Sequence, residues 1–82
     1  MATTKEDIRA WLNEAKEAGA THLIVACDTF DWTDYPISVM PEQDVHAIYN
    51  EHNGPNMQRV MEVYNLNHDF NQQLAQSPSM NF

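Results

Sequence analysis

The sequence has few cysteines, few glycines and no long apolar run, and each shortage excludes a class of protein. One cysteine, Cys27, among 82 residues excludes an intramolecular disulfide and suits a reducing compartment. Two glycines, Gly19 and Gly54, cannot form a glycine-rich phosphate loop. The longest aliphatic run, Leu23 to Cys27, is too short to span a membrane, and no basic, apolar leader opens the chain. We therefore expect a soluble cytoplasmic protein.

Positive charge is also scarce. Four Lys and Arg stand against twelve Asp and Glu, and no Lys or Arg lies from Glu17 to Gln58. Phosphate neutralisation needs clustered basic residues, so direct binding to nucleic acid is excluded, and an acidic surface also repels anionic membranes. Such a surface favours basic protein partners. The alternative is that the charge only keeps a small protein soluble.

Hydrophobic spacing predicts a single α+β domain over residues 1–82, with the element order α-β-β-α-α. A first helix capped by Thr3 or Thr4 ends at Gly19, and an antiparallel hairpin follows between residues 21 and 40. A second helix begins at Pro41, and Asn56 caps a third. The apolar stripe of that third helix comprises Met57, Val60, Met61 and Tyr64. Residues 1–3 and 77–82 are expected to be flexible, unless Met80 and Phe82 dock.

The first strand of the hairpin is apolar on both faces. Leu23, Val25 and Cys27 alternate with Ile24 and Ala26, and a strand of this kind needs cover on both sides. Three helices on one face of a two-stranded sheet would leave the other face open. We therefore expect a homo-oligomer in which a second copy completes the sheet. The alternative is that helices of the same chain cover both faces.

The loop of the hairpin carries the candidate partner-binding residues, which are acidic or aromatic. They are Asp28, Asp31, Trp32, Asp34 and Tyr35. Exposed aromatic anchors ringed by acids have the composition of a binding hot spot. In the alternative interpretation, the Asp and Thr side chains only bond the turn backbone while Phe30 folds inward. The spacing does not match a calcium loop, so we expect no metal.

No residues of the chain combine into a catalytic motif. The four histidines lack the paired spacing of metal sites, and Cys27 lies inside an apolar run, so we expect neither an enzyme nor a cofactor. Arg59 is the exception to the acidic background. In the first turn of a third helix, near Asn56 and Tyr64, it could bind an anionic ligand, above all if copies converge in an oligomer.

Two motifs carry a resemblance to a known group of proteins. GATHLIVACDTFDWTDYPISVMP and, later, NMQRVMEVYNL resemble small, mostly uncharacterised proteins encoded by bacteriophages and prophages, over about Ile8 to Leu66. The resemblance implies a phage accessory protein in the bacterial cytoplasm. The first functional hypothesis is a non-enzymatic inhibitor that binds a host defence protein, with a basic nucleic-acid-binding surface of that protein as the candidate contact. The alternative is an oligomeric binder that sequesters a host nucleotide immune signal, using Asn56, Arg59 and Tyr64.

Overall fold

A computed structural model describes residues 3–82 and shows helices on both faces of an antiparallel sheet. The elements, in chain order, are helix α1 (Lys5–Glu17), strands β1 (His22–Asp28) and β2 (Thr33–Val39), helix α2 (Val45–His52), strand β3 (Gln58–Asn65) and helix α3 (Phe70–Leu74). The strand order is β2-β1-β3, with β1 in the centre. The α+β class and the succession of two strands between helices are confirmed. No helix of the described residues is long and apolar enough for a membrane span.

Helix α1 begins and ends where the sequence predicts. Thr4 is the N-cap: its side chain accepts a hydrogen bond from the Asp7 backbone N–H, and the Asp7 side chain bonds back to Thr4. At the other end, Gly19 has a φ of +83°. Glycine adopts this left-handed conformation at little energetic cost because it has no Cβ. These two local signals therefore set the bounds of the helix.

The segment predicted as the start of a third helix is a strand. Residues Gln58–Asn65 pair antiparallel with β1, and a β-bulge interrupts the register between Val25 and Ala26. A 3₁₀ turn over Pro55–Met57 precedes the strand, with left-handed backbone at Asn56 and Met57. The prediction of a helix capped by Asn56, with an apolar stripe over Met57, Val60, Met61 and Tyr64, is therefore wrong. The third helix is instead the short α3, five residues further on.

Two separate apolar clusters cover the two faces of β1. Leu23 and Val25 pack against α1 and α3 through residues such as Leu12 and Leu74. Ile24 packs in the second cluster, which includes Val45 on α2 and Val63 on β3. Helices of the same chain thus cover both faces, which is the alternative arrangement that the sequence allowed. A second copy is not needed to cover the sheet, and self-association stays a prediction.

The C-terminal segment docks along the outer edge of β3. The backbone N–H of Val63 donates to Ser79 at 2.8 Å, and the N–H of Asn81 donates to the Val63 carbonyl at 2.9 Å. The ring of Phe82 stacks on His46, with the ring centres 4.7 Å apart. Of the two expectations for residues 77–82, docking rather than fraying describes the structure. Of residues 1–3, the first two lie outside the described residues.

Candidate binding surface

The hairpin tip, defined here as residues Asp28 to Asp34, is a turn held together by its own backbone and carboxylates. The N–H of Trp32 donates to the Asp28 carbonyl at 2.7 Å. The side chain of Asp28 accepts from the N–H of Phe30 at 2.8 Å, and that of Asp31 accepts from Thr33 at 3.1 Å. Asp side chains stabilise turns in this way. The predicted turn-bonding role of these carboxylates is therefore confirmed.

The turn places two aromatic rings in solvent. The side chain of Phe30 is 78% exposed and that of Trp32 is 62% exposed. Trp32 has a left-handed backbone, with φ of 59°, which is uncommon for a bulky residue. The expectation that Phe30 folds inward is wrong, because the Asx turn at Asp28 directs the chain away from the core. The two exposed rings and the turn-bonding carboxylates therefore occur together at the tip, and a binding role for the rings stays a prediction.

Tyr35 lies on the body of the hairpin rather than at its tip. It pairs with Ala26 of β1 and, because side chains alternate along a strand, shares its face of β2 with Ile37 and Val39. The ring is half-buried, and its hydroxyl donates to the side-chain oxygen of Gln58. Burial raises the pKa of Tyr35, and the nearby Asp28 charge raises it further. Tyr35 is therefore not an exposed anchor, unlike Trp32.

The negative charges of the tip act on Cys27 beneath it. Burial raises the pKa of the Cys27 thiol, and Asp34 raises it further by hydrogen bonding and by its charge. The side chain is only 3% exposed. A reactive cysteine needs a lowered pKa and access to solvent, and Cys27 has neither. Its place in the structure is that of a small apolar residue in the sheet.

The three residues predicted to bind an anionic ligand do not come together. Arg59 is exposed on β3, so the helix N-terminus that supported its role does not exist. Tyr64 is buried under α1 and its hydroxyl donates to the Glu62 carboxylate at 2.6 Å. Asn56 lies in the exposed turn before β3. The arrangement gives no single pocket in which the three side chains meet.

Three further apolar side chains, Phe30, Met57 and Met61, are exposed but are not among the predicted site residues. One of the two interpretations of the loop turns Phe30 inward, and helical spacing puts Met57 and Met61 on the apolar stripe of the predicted third helix. The carbonyl of Met57 accepts from the N–H of Thr29 at 2.8 Å, which brings the turn before β3 against the hairpin tip. The bulge at Met61 breaks the alternation along β3 that would mark it as an exposed strand position, and Met57 lies in the turn before the strand.

Comparisons with family models, curated proteins and solved structures found no match for this chain. Residues 3–82 also contain no group of three His, Cys, Asp or Glu side chains placed to hold a metal ion. The site is therefore characterised by its own geometry. It consists of two exposed aromatic rings, Phe30 and Trp32, on a hydrogen-bonded turn that also carries acidic side chains.

Proposed function

We propose that this chain is a non-enzymatic binding protein whose hairpin tip docks on a basic surface of a protein partner. The observation that carries the proposal is the outward placement of Phe30 and Trp32 on a turn that their acidic neighbours hold in shape. Large exposed aromatic side chains gain most when a partner buries them, and Trp is enriched among residues that dominate binding energy.

The charge of the chain supports a basic partner. The formal net charge is −8 at pH 7, and Asp28, Asp31 and Asp34 all lie in the hairpin tip. Carboxylates around an apolar centre steer an oppositely charged surface into contact and reject acidic ones. Because the resemblance is to phage proteins, we further propose that the partner is a host antiviral defence protein, bound at a surface that otherwise holds nucleic acid. The partner-binding residues would be Phe30, Trp32 and the acids of the tip.

The test is quantitative capture of the partner from a bacterial lysate, followed by affinity measurement with the purified partner. We expect Trp32→Ala to weaken binding by about 2 kcal/mol or more, or roughly thirtyfold, since a buried aromatic anchor is lost. Asp31→Asn should slow association and make the rate less sensitive to salt. The matched control is Glu17→Gln on α1, which removes the same charge far along the chain from the tip. Equal affinity of wild type and Trp32→Ala would refute the proposal.

A further inference from the structure

A groove of about 300 Å³ opens beside the hairpin tip. Its apolar walls come from four separate parts of the chain, Ile8 of α1, Val25 of β1, Met61 of β3 and Pro78 of the C-terminal segment, and the carboxylates of Asp34 and Glu62 also line it. Met61 is 42% exposed, so this wall faces solvent. The groove thus combines apolar sides with two negative groups.

The two carboxylates lie on opposite sides of the central strand and on the same face of the sheet. Asp34 of β2 pairs with Cys27, and Glu62 of β3 pairs with Val25. Directly paired residues point to the same face, and Cys27 and Val25 share theirs. Glu62 is held in place, because its two oxygens accept from the Tyr64 hydroxyl at 2.6 Å and from the Ser79 N–H at 3.1 Å.

Among residues 3–82, neither carboxylate has a basic group within ion-pair distance. Within residues 3–82, the one contact between oppositely charged groups is His46 with Asp44, at 3.8 Å and in another part of the molecule. Two half-buried carboxylates beside apolar walls leave negative charge that a cation would neutralise. The shape also suits a cation on an alkyl stem, because Lys and Arg side chains lay their methylenes on apolar surface while the charged head finds a carboxylate.

We propose that this groove receives a lysine or arginine side chain of the protein partner. The inference rests on the proposed function, since it names the chemistry of the partner beside the tip. Asp34 belongs to both the hairpin tip and the groove, so the groove begins where the tip ends. The partner would then present an apolar pocket for Trp32 and, next to it, one basic side chain for Asp34 and Glu62.

The groove can be tested without the partner, by NMR titration with N-acetyl-arginine methylamide. We expect chemical-shift changes at the Met61 methyl group and at the amides of Asp34 and Glu62, and no saturable change with the uncharged citrulline analogue. Asp34→Asn should weaken binding by about tenfold, the loss of one charge-assisted hydrogen bond. Asp31→Asn removes the same charge from the tip and should leave the affinity unchanged within about twofold. Equal weakening by both variants, or equal binding of citrulline, would overturn the proposal.

A second pair of variants tests the groove without substituting Asp34, in case Asp34→Asn changes the fold. Met61 is exposed, so the variant Met61→Lys should fold. Its lysine would supply the cation from within the chain and should weaken binding of the arginine probe by about tenfold or more. Met61→Gln has a similar length without charge and should retain binding within about threefold. Equal affinities in these two variants would contradict the inference.

The outcomes separate the groove from the proposed function. Trp32→Ala lies outside the groove and should bind the arginine probe as the wild type does. If the wild type does not bind the arginine probe but partner capture still depends on Trp32, the groove proposal is refuted and the aromatic docking is not. Intact probe binding together with partner affinity that is indifferent to Trp32→Ala refutes the aromatic docking alone.

Discussion

Apolar side chains are buried in the body of the central hairpin and exposed at its tip. In the body, Leu23 and Ile24 are fully buried, one on each face, under helices of the same chain. At the tip, Phe30 and Trp32 are mostly in solvent, although the backbone there is held by at least three hydrogen bonds. The difference teaches that packing accounts for the apolar residues of the body. Those of the tip have no such role within the chain, which is why we assign them to a partner.

Replacing one apolar residue in each region gives the largest contrast. Leu23→Ala should lower the free energy of unfolding by about 2–5 kcal/mol, because it leaves a cavity between α1 and the sheet. Trp32→Ala should change it by less than about 0.5 kcal/mol, since an exposed ring makes few contacts to lose. Urea denaturation followed by circular dichroism measures both. A loss for Trp32→Ala as large as that for Leu23→Ala would mean that the tip is part of the core.

High pH should destabilise the body of the hairpin but not its tip. Burial raises the pKa of Tyr64 well above its usual 10.0, and the bond to Glu62 raises it further. The folded state therefore keeps the proton longer than the unfolded state, so the stability is present below pH 10 and is lost as the pH rises above it. The expected slope is about 1.4 kcal/mol for each pH unit and each such group. Burial also raises the pKa of Tyr35, and it raises the pKa of Cys27 above its usual 9.0.

Tyr64→Phe isolates the largest part of this effect. The variant loses the ionisable hydroxyl, so its urea midpoint should fall less steeply between pH 10 and 11 than that of the wild type. At pH 7 it should be less stable, because Glu62 loses a hydrogen bond. Identical slopes for the two proteins would show that Tyr64 does not control the alkaline transition.

The first half of the fold could be predicted from the sequence because its periodicities are regular. The stripe of α1, its caps and the alternation of β1 each repeat without interruption. Strand β3 was mistaken for a helix for a physical reason. The bulge inserts one residue into the strand, so its buried positions fall at Val60, Val63 and Tyr64. That spacing, i, i+3 and i+4, is the signature of an amphipathic helix.

The residue types of the site could be predicted from the sequence, but the directions of their side chains could be predicted less well. The acids of the tip and the exposure of Trp32 follow from turn chemistry and polarity. Tyr35 could have been excluded as an anchor, because alternation along a strand puts it on the same face as Ile37 and Val39. Phe30 could not be placed, because its direction depends on the Asx turn of Asp28, which competes with other turn geometries of the same residues. Contacts distant in sequence, such as those of Ser79 with Glu62, leave no local signal.

A loss of stability smaller than that of Leu23→Ala is expected in the turn itself. Asp28→Ala removes the oxygen that accepts from the Phe30 N–H and should destabilise the chain by about 1 kcal/mol. Asp28→Asn keeps an acceptor oxygen and should cost less than half as much. If the turn presents the rings, Asp28→Ala should also weaken partner binding, whereas Asp28→Asn should change mainly its salt dependence. Differential scanning calorimetry and binding at two salt concentrations measure these effects. Equal binding losses in the two variants would show that the Asp28 charge, and not the shape of the turn, matters to the partner.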